Sequence, residues 1–363
     1  MNRPIIAITG SAGKTTTKEM LASILQRRWK TFKSFQNGND VWFTTQYTKQ
    51  INASHRAVVL EYGMKHAGDI RRHCQLIRPD IGIVTNVGKA HMGHFNRGIT
   101  GIAAAKSELI QHMNANGMLF INKDDVHSNL LSYGRFKGQV VTIGAKHKAN
   151  YQAQNIRYTN QGMNFEVRLR GKLHSFFIKA FGTCNVYNAL FAVAAAHRLG
   201  CPVQQIRSGL LNYEQPYARL TVHRLRNGSI LINDSFNTKP ELDAALDVLT
   251  HVGGKGRKVA VLGMIQDMGV YRKHMHREVG KQLADKRIDY LYTFGSHAKQ
   301  IGLGAIAAGF SSQKVSSEKN MSRLRKKLMG ELRPGTTLLF KGSTGGNKVL
   351  LIHVVEAIVR AKG

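Results

Sequence analysis

The chain has 363 residues, of which 42% are apolar, with 36 Gly and 6 Pro. This length corresponds to roughly two domains of about 150 residues each. The composition excludes collagen-like, low-complexity and intrinsically disordered chains. Lys and Arg number 53 against 21 Asp and Glu, which gives a formal charge of +32. Basic residues occur in nearly every segment, so the charge favours solubility and attraction to anionic substrates or membrane surfaces over nucleic acid as the main ligand.

The sequence carries no export or membrane signal. The apolar run Ile5–Ile8 is shorter than the core of a signal peptide, and the longest apolar stretch, Ala189–Ala196, is far below the ~20 residues that span a bilayer. The three cysteines, Cys74, Cys184 and Cys201, are too few and too scattered for a disulfide framework. We therefore expect a soluble protein in a reducing compartment, the cytoplasm.

Short β-branched runs alternate with helical patterns along the chain, which is typical of a mostly parallel α/β sheet. In the first half the predicted strands are 5–9, 57–61, 81–85, 118–121 and 140–143. The predicted helices between them begin near Lys14, Gly68 and Thr100. Antiparallel strands over 151–180 and a helix over 185–199 follow. In the second half the predicted strands begin at Leu220 and cover 230–233, 258–262, 290–294 and 337–340, with helices near 241–250, 273–284, 297–307, 321–329 and 348–359. Pro216 follows a short helix and predicts a boundary between two domains, 1–215 and 216–363.

A glycine-rich loop follows the first predicted strand and opens the first predicted helix. It reads Gly10-Ser11-Ala12-Gly13-Lys14-Thr15-Thr16. Such a loop aims backbone N–H groups at phosphate oxygens, its Lys reaches the terminal phosphates, and its Thr hydroxyl ligates magnesium. The loop is shorter than G-x-x-x-x-G-K-[ST], but a chance Gly-Lys-Thr in a structural turn would lack the strand before it and the helix after it.

Further motifs appear in a fixed order after this loop. They are Glu61-Tyr62-Gly63, Thr85-Asn86-Val87-Gly88-Lys89-Ala90-His91, Ala105-Lys106-Ser107-Glu108, Gly182-Thr183-Cys184-Asn185-Val186-Tyr187-Asn188-Ala189, Arg219, Asn233-Asp234-Ser235-Phe236-Asn237-Thr238-Lys239-Pro240 and Lys341-Gly342-Ser343. Together with the loop they resemble the Mur ligases, most of all the branch that adds D-alanyl-D-alanine to a UDP-muramoyl-tripeptide. The resemblance implies an α/β fold, with a P-loop ATP-binding domain over 1–215 that has a mostly parallel sheet and a smaller Rossmann-like domain over 216–363.

The resemblance also implies an ATP-dependent ligase that joins a carboxylate to an amine through an acyl phosphate, with two magnesium ions. Lys14 would contact the β and γ phosphates, and Thr15 would hold the first ion. Glu61 and His91 would hold the second ion, beside Lys106 in its carbamylated form.

The remaining site residues implied by the resemblance bind other parts of the nucleotide. Asn185 and Asn188 would face the adenine. Arg219 would reach the γ phosphate when the second domain closes, and Asp234 would contact the ribose.

Each assignment has a plainer alternative. A Glu that ends a strand is usually solvated, a lone His is usually not a ligand, Lys106 without the carbamate would be an exposed helix lysine, and Asn185 or Asn188 could cap a helix.

The substrate-facing positions depart from the family pattern. Cys184 replaces a His next to Asn185, Met264 and Thr344 replace an Asp and an Arg, and 37–42 only partly matches the acceptor loop. The family's N-terminal UDP-anchoring domain has no counterpart before the loop, so a partner could supply it.

Several functions therefore stay open. One alternative is a Mur-like ligase of a specialised pathway that uses a carboxylate without UDP. Others, of a different class, are an ATP-binding regulatory protein and a nucleic-acid-stimulated ATPase without ligase activity.

Overall fold

A computed structural model describes residues 3–236, 242–284, 286–342 and 351–362. The chain divides into two compact units, the first formed by Met1–Lys89 and His94–Pro216 and the second by Ala90–Gly93 and Tyr217–Gly363. Within the described ranges, no helix combines the length and the apolar character needed to cross a membrane.

The first unit is built on one sheet. Its strands are β1 (Ile5–Thr9), β2 (Thr31–Lys33), β3 (Ala57–Glu61), β4 (Ile81–Val84), β5 (Met118–Asn122), β6 (Gln139–Gly144), β7 (Tyr151–Tyr158), β8 (Met163–Leu169) and β9 (Lys172–Ile178). They lie in the order β2-β3-β1-β4-β5-β6-β7-β8-β9. Strands β2 to β7 pair in parallel, and β7, β8 and β9 form antiparallel pairs. The strand order reverses at β1, and ligands of open α/β sheets bind at such a point.

The helices of the first unit pack on this sheet. They are α1 (Lys14–Leu25), α2 (Val41–Gln50), α3 (Asp69–Leu76), α4 (Gly98–His112), α5 (Thr183–Arg198) and α6 (Val203–Leu211). Helix α1 lies against α5 and α6, and α5 is buried from Asn188 to Ala196. The small alanine side chains of α5 allow this close approach, which fixes the start of α1 next to the start of α5.

The second unit has its own sheet. Its strands are β10 (Thr221–Arg224), β11 (Ile230–Asp234), β12 (Arg257–Leu262), β13 (Tyr290–Phe294), β14 (Val315–Glu318) and β15 (Thr336–Lys341), in the order β10-β11-β15-β12-β13-β14. Only β10 pairs antiparallel within the described part of this sheet. The helices are α7 (Asp243–Gly253), α8 (Arg272–Lys281), α9 (Lys299–Ala307), α10 (Met321–Glu331) and α11 (Leu351–Lys362).

The predicted α/β fold class is confirmed, and the predicted strands and helices match to within a few residues. Three elements were not predicted: β2, α2 and β14. The two strands are short and only partly buried, and α2 follows an Asn-rich segment that has a loop-like composition. Asp40 begins α2 by accepting a hydrogen bond from the Phe43 N–H at 3.1 Å. Predicted features at Asn237–Pro240, at Ser343 and Thr344, and at the predicted starts of the helices near 241 and 348 lie outside the described residues.

Candidate nucleotide and metal site

The glycine loop lies at the carboxyl end of β1, between β3 and β4. Gly10 and Gly13 have φ angles of +147° and +83°, a region that favours glycine. A Cβ atom on Gly10 would lie 1.8 Å from Thr85 Oγ1, and one on Gly13 would lie 2.2 Å from Asn188 Oδ1. Both glycines are therefore required by conformation and by space, and the loop backbone lies close to Thr85 and Asn188.

The end of β4 fixes the loop by hydrogen bonds. The Thr85 hydroxyl donates to the Ala12 carbonyl at 2.6 Å, and the Ala12 N–H donates to Asn86 Oδ1 at 2.9 Å. The Ser11 N–H donates to the Asn86 carbonyl at 3.1 Å, and the Ser11 hydroxyl donates to the Gly88 carbonyl at 3.0 Å. Thr85 and Asn86 were named in a motif, but no role was predicted for them. Their position directly after β4 is the signal that could have identified them.

The loop leads into the N-terminus of α1, which points its partial positive charge at the loop. The Thr17 N–H donates the first hydrogen bond of the helix, to the Gly13 carbonyl at 2.9 Å. The backbone N–H groups that come before Thr17 in the first turn therefore have no carbonyl partner within the helix. Lys14 Nζ donates to the Gly10 carbonyl at 2.9 Å, which holds the ammonium beside the loop. Backbone donors, a helix N-terminus and a lysine thus converge as phosphate binding requires.

Thr15 and Thr16 lie in this first turn and are 4% and 6% exposed. The Thr15 hydroxyl oxygen is buried, and no group among the described residues forms a hydrogen bond with it. A buried hydroxyl without a protein partner is costly. It suits a magnesium ligand, since magnesium prefers oxygen donors.

Glu61 ends β3, opposite Ile8 of β1, and is 1% exposed. The alternative that it is a solvated loop residue is wrong. Asn39 Nδ2 donates to Glu61 Oε1 at 2.7 Å, and the Ser34 hydroxyl oxygen accepts the Glu61 N–H at 2.9 Å. These bonds fix a buried carboxylate at the same sheet edge as the glycine loop, where it also suits a divalent cation.

Lys106 lies on α4 and is 2% exposed, so the alternative that it is an exposed helix lysine is also wrong. Burial, reinforced by the charge of Lys14, lowers the Lys106 pKa well below its usual value, and Asp125 opposes this shift. Asp125 is itself held by the Val87 N–H at 2.9 Å and the Ser128 hydroxyl at 2.6 Å. Lys106 therefore loses its proton more readily than an ordinary lysine, and a neutral lysine amine is a nucleophile.

Asn185 and Asn188 connect the start of α5 to α1. Asn185 Nδ2 donates to the Phe181 carbonyl at 2.8 Å, Asn188 Nδ2 donates to Asn185 Oδ1 at 3.0 Å, and the Thr17 hydroxyl donates to Asn188 Oδ1 at 3.3 Å. Neither Asn is the N-cap, which is Gly182. The structure brings the Asn188 side chain to the glycine loop at Gly13, and Asn185 in turn bonds to Asn188.

Asp124 lies just after β5, and no role was predicted for it from the sequence. It accepts the N–H groups of Ala145, Lys146 and His147 at 2.5, 2.8 and 2.9 Å and the Tyr187 hydroxyl at 2.6 Å. Burial alone would raise the Asp124 pKa, but these donors hold it well below its usual range. The carboxylate thereby fastens the 145–147 segment to α5. Its partners are 21 to 63 residues away, so no local pattern could have revealed it.

In the second unit, Asp234 ends β11 opposite Lys341 of β15. Both side chains are buried, and Lys341 Nζ lies 2.9 Å from Asp234 Oδ2. Burial raises the Asp234 pKa, and Lys341 opposes that shift. Arg219 stacks on Phe236, with its guanidinium carbon 4.8 Å from the ring centre. Lys341 was named in a motif, but no role was predicted for it. In the structure it is the partner of Asp234.

His91 belongs to Ala90–Gly93, the short segment grouped with the second unit. Its φ is +63°, and its Nδ1 lies 3.0 Å from Asp267 Oδ2. This pairing was not predicted. The assignment of His91 to the same metal as Glu61 stays a prediction, as do the roles of Arg219 and Asp234.

The two α/β units, with a glycine loop at the switch point of the larger sheet, define a nucleotide-binding protein of the P-loop type. Residues 8–196 match the Mur ligase middle domain, and residues 218–344 match the Mur ligase glutamate ligase domain. The chain belongs to the Mur ligase family, whose members related to this chain are ATP-dependent ligases that form amide bonds.

Two curated relatives are similar over most of the chain. The UDP-N-acetylmuramoyl-tripeptide–D-alanyl-D-alanine ligase of Bacillus subtilis is 30% identical over 94% of this chain and 73% of its own length. The ligase of the same name from Synechocystis is 31% identical over 98% of this chain and 74% of its own length. The crystal structure of MurF from Acinetobacter baumannii superposes with a TM-score of 0.88 at 27% identity, over 99% of this chain and 77% of that chain.

Proposed function

We propose that the protein is an ATP-dependent carboxylate–amine ligase that adds D-alanyl-D-alanine to UDP-muramoyl-tripeptide in peptidoglycan synthesis, in the cytoplasm. The observation that carries the proposal is a phosphate-binding loop with a buried lysine of lowered pKa, Lys106, within electrostatic range of Lys14. The substrates are those named for relatives 30% and 31% identical to this chain.

The reaction must turn a carboxylate into a good electrophile. The substrate carboxylate attacks the γ phosphorus of ATP, ADP leaves, and an acyl phosphate forms. The amine then attacks the acyl carbon, loses a proton and displaces inorganic phosphate, which leaves an amide. The first-turn N–H groups of α1 and Lys14 stabilise the phosphate charge in this account, by position and electrostatics.

The Thr15 hydroxyl would hold a first magnesium ion, and Glu61 and His91 would hold a second, beside Lys106 in its carbamylated form. The buried hydroxyl of Thr15 and the buried carboxylate of Glu61 support this assignment. When bound, magnesium supplies positive charge against the phosphate oxygens.

Lys106 is proposed to carry a carbamate. Its neutral amine nitrogen bonds to the carbon of CO₂ and releases one proton, which converts a potential cation into an anion. The lowered Lys106 pKa supports this step, because only the neutral amine can react. The negative product would suit a site that collects metal ions.

The remaining predicted nucleotide ligands divide between the proposed domains. Asn185 and Asn188 of domain 1–215 are assigned to the adenine, and Arg219 and Asp234 of domain 216–363 to the γ phosphate and the ribose. Turnover is therefore expected to need both domains.

A second candidate function keeps this chemistry and changes the carboxylate substrate. The acceptor segment 37–42 supports it, because it matches the family pattern only in part and ends in Trp42, whose side chain is 63% exposed.

Phosphate release tests the class of reaction. Mg-ATP turnover is measured alone, with UDP-muramoyl-tripeptide, with that substrate plus D-alanyl-D-alanine, with other carboxylate and amine pairs, and with RNA. The ligase proposal expects release only when both a carboxylate and an amine are present. Release that needs neither, or that RNA stimulates, would contradict it and favour a regulatory or nucleic-acid-stimulated ATPase.

A further inference from the structure

A polar cleft of about 270 Å³ lies in the first unit, away from the glycine loop. It is formed by the start of β6, the start of β7, the turn between β8 and β9, and the end of α5. The lining residues are Gln139, Val140, Val141, Asn150, Tyr151, Arg168, Leu169, Arg170, His197 and Arg198. About twelve residues of α5 separate His197 from Asn185, which at about 1.5 Å per residue is a distance of roughly 18 Å.

The cleft is strongly basic. Arg168, Arg170 and Arg198 line it together with His197, and no Asp or Glu is among the described residues of its wall. Arg168 Nη1 donates to the Gly171 carbonyl at 2.7 Å, which positions one guanidinium group. Three guanidinium groups without a lining carboxylate repel one another, and a bound oxyanion would relieve that repulsion.

Two of these arginines lie at or beside the turn between β8 and β9. Leu169 pairs with Lys172, so Arg170 and Gly171 form a two-residue hairpin turn, with φ angles of +47° and +81°. Positive φ at both positions is what a type I′ hairpin requires, and Gly or Asn is usual there. An Arg at such a position is strained. Arg168 precedes the turn on β8 and lines the same cleft as Arg170.

His197 also lines the cleft. Its Nδ1 lies 2.6 Å from the Tyr151 hydroxyl oxygen, and the direction of this hydrogen bond depends on the ring tautomer.

We propose that this cleft is a second anion site, which binds a small molecule carrying a diphosphate group. Three guanidinium groups match a diphosphate, which carries more charge and more oxygens than a single phosphate, and Arg binds such oxygens bidentately. A cleft of this volume suits a small molecule. The site is separate from the nucleotide loop, so its occupancy does not depend on the proposed ligase reaction.

Calorimetry on the full chain tests this proposal, with the glycine loop first saturated by Mg-AMPPCP. The probes are inorganic pyrophosphate, UDP, which carries its diphosphate on a nucleoside, and uridine, which carries none. The variants are Arg168→Gln and Arg198→Gln, with Arg157→Gln as the matched control, because Arg157 is exposed on β7 of the same sheet and does not line the cleft. Thermal melting checks that each variant is folded.

We expect pyrophosphate and UDP to bind with one-to-one stoichiometry and uridine to give no heat. Each cleft variant should weaken the binding about tenfold or more, because a charge-assisted hydrogen bond is removed, and Arg157→Gln should bind as the original protein does. Tighter binding of UDP than of pyrophosphate would identify a nucleoside diphosphate as the source, and the reverse would identify free pyrophosphate. No binding of either diphosphate, or equal weakening by all three substitutions, would overturn the proposal.

Discussion

Lys14 and Lys106 are lysines with different environments, and the difference assigns them different chemistry. Lys14 begins α1 and donates to the loop backbone, whereas Lys106 is buried in α4 with a lowered pKa. A charged lysine binds phosphate, and a neutral one can react with CO₂. Burial at position 106 is thus the residue-scale feature on which the proposed carbamate depends.

Substitution Lys106→Ala should remove most ligase turnover, since the proposed anion beside the metal is lost. Short carboxylic acids such as acetate should restore part of the activity by placing a carboxylate in the space. Lys137→Ala is the matched control, because Lys137 is exposed. Steady-state rates with and without acetate measure the effect. A fully active Lys106→Ala protein, or a deficit that no carboxylate relieves, would remove the carbamate from the account.

Substitution Lys14→Ala should weaken ATP binding about tenfold or more and abolish turnover, because a charge-assisted contact to phosphate is lost. Its side chain donates to the Gly10 carbonyl within the same loop, so the substitution is local and the fold should persist. Equilibrium binding of AMPPCP measures the loss, and circular dichroism checks the fold. Retained ATP turnover would refute the assignment of the loop.

At the scale of elements, the glycine loop and α5 form one assembly. Gly13 is the N-cap of α1, and its missing side chain leaves room for Asn188 of α5. Thr17 of α1 also donates to Asn188. The orientation of Asn188, which is proposed to face the adenine, therefore depends on how closely the two helices approach.

Substitution Gly13→Ala should disturb this approach, because the new Cβ would lie 2.2 Å from Asn188 Oδ1 at a φ of +83°. We expect a loss of roughly 1–3 kcal/mol in the free energy of unfolding of the first unit, together with weaker nucleotide binding. Gly134→Ala is the control, since a Cβ there meets nothing within 4 Å. Urea unfolding followed by tryptophan fluorescence reports on this unit, because both tryptophans, Trp29 and Trp42, belong to it. Equal stability of the two variants would contradict the packing argument.

Much of the fold could be predicted because buried parallel strands such as β1 and β3 are continuous apolar runs. The glycine loop could be predicted because such loops have a recognisable residue pattern between a strand and a helix. Short edge strands such as β2 have too few residues to show a period. Candidate site residues could be named from the sequence where their motif is local, as in the glycine loop. Asp124 and Lys341 could not be predicted, because their partners are brought to them by the sheet from distant parts of the chain.

The burial of Lys106 and Glu61 lay equally beyond the sequence. A Lys on a helix and a Glu at a strand end are exposed in most proteins, and only the packing of neighbouring elements decides otherwise. The resemblance to the family gave these residues a role, and the structure supplies the physical environment that such a role needs.

At the scale of the whole molecule, acid should weaken the first unit through a buried neutral histidine. His73 stacks on Tyr62 with ring centres 4.5 Å apart, and its Nδ1 lies 2.6 Å from Thr44 Oγ1. Burial lowers the His73 pKa from 6.5 to about 4. The unfolded chain therefore takes up a proton below pH 6.5 while the folded chain resists it until about pH 4.

The stability that His73 contributes is complete above pH 6.5 and is lost as the pH falls toward 4, by about 3 kcal/mol in total. Substitution His73→Gln should flatten this part of the profile, whereas His66→Gln, at an exposed position, should leave it unchanged. Urea unfolding by tryptophan fluorescence at a series of pH values from 7.5 to 4 provides the measurement. Parallel profiles for His73→Gln and the original protein would contradict this assignment.

The central claim, amide-bond formation by this chain, is tested most directly by mass spectrometry of a reaction that contains Mg-ATP, UDP-muramoyl-tripeptide and D-alanyl-D-alanine. The account predicts a UDP-muramoyl-pentapeptide, formed together with one phosphate per bond and absent when Lys14 is replaced by Ala. A reaction that consumes ATP with every carboxylate and amine supplied, yet contains no new amide, would contradict the account.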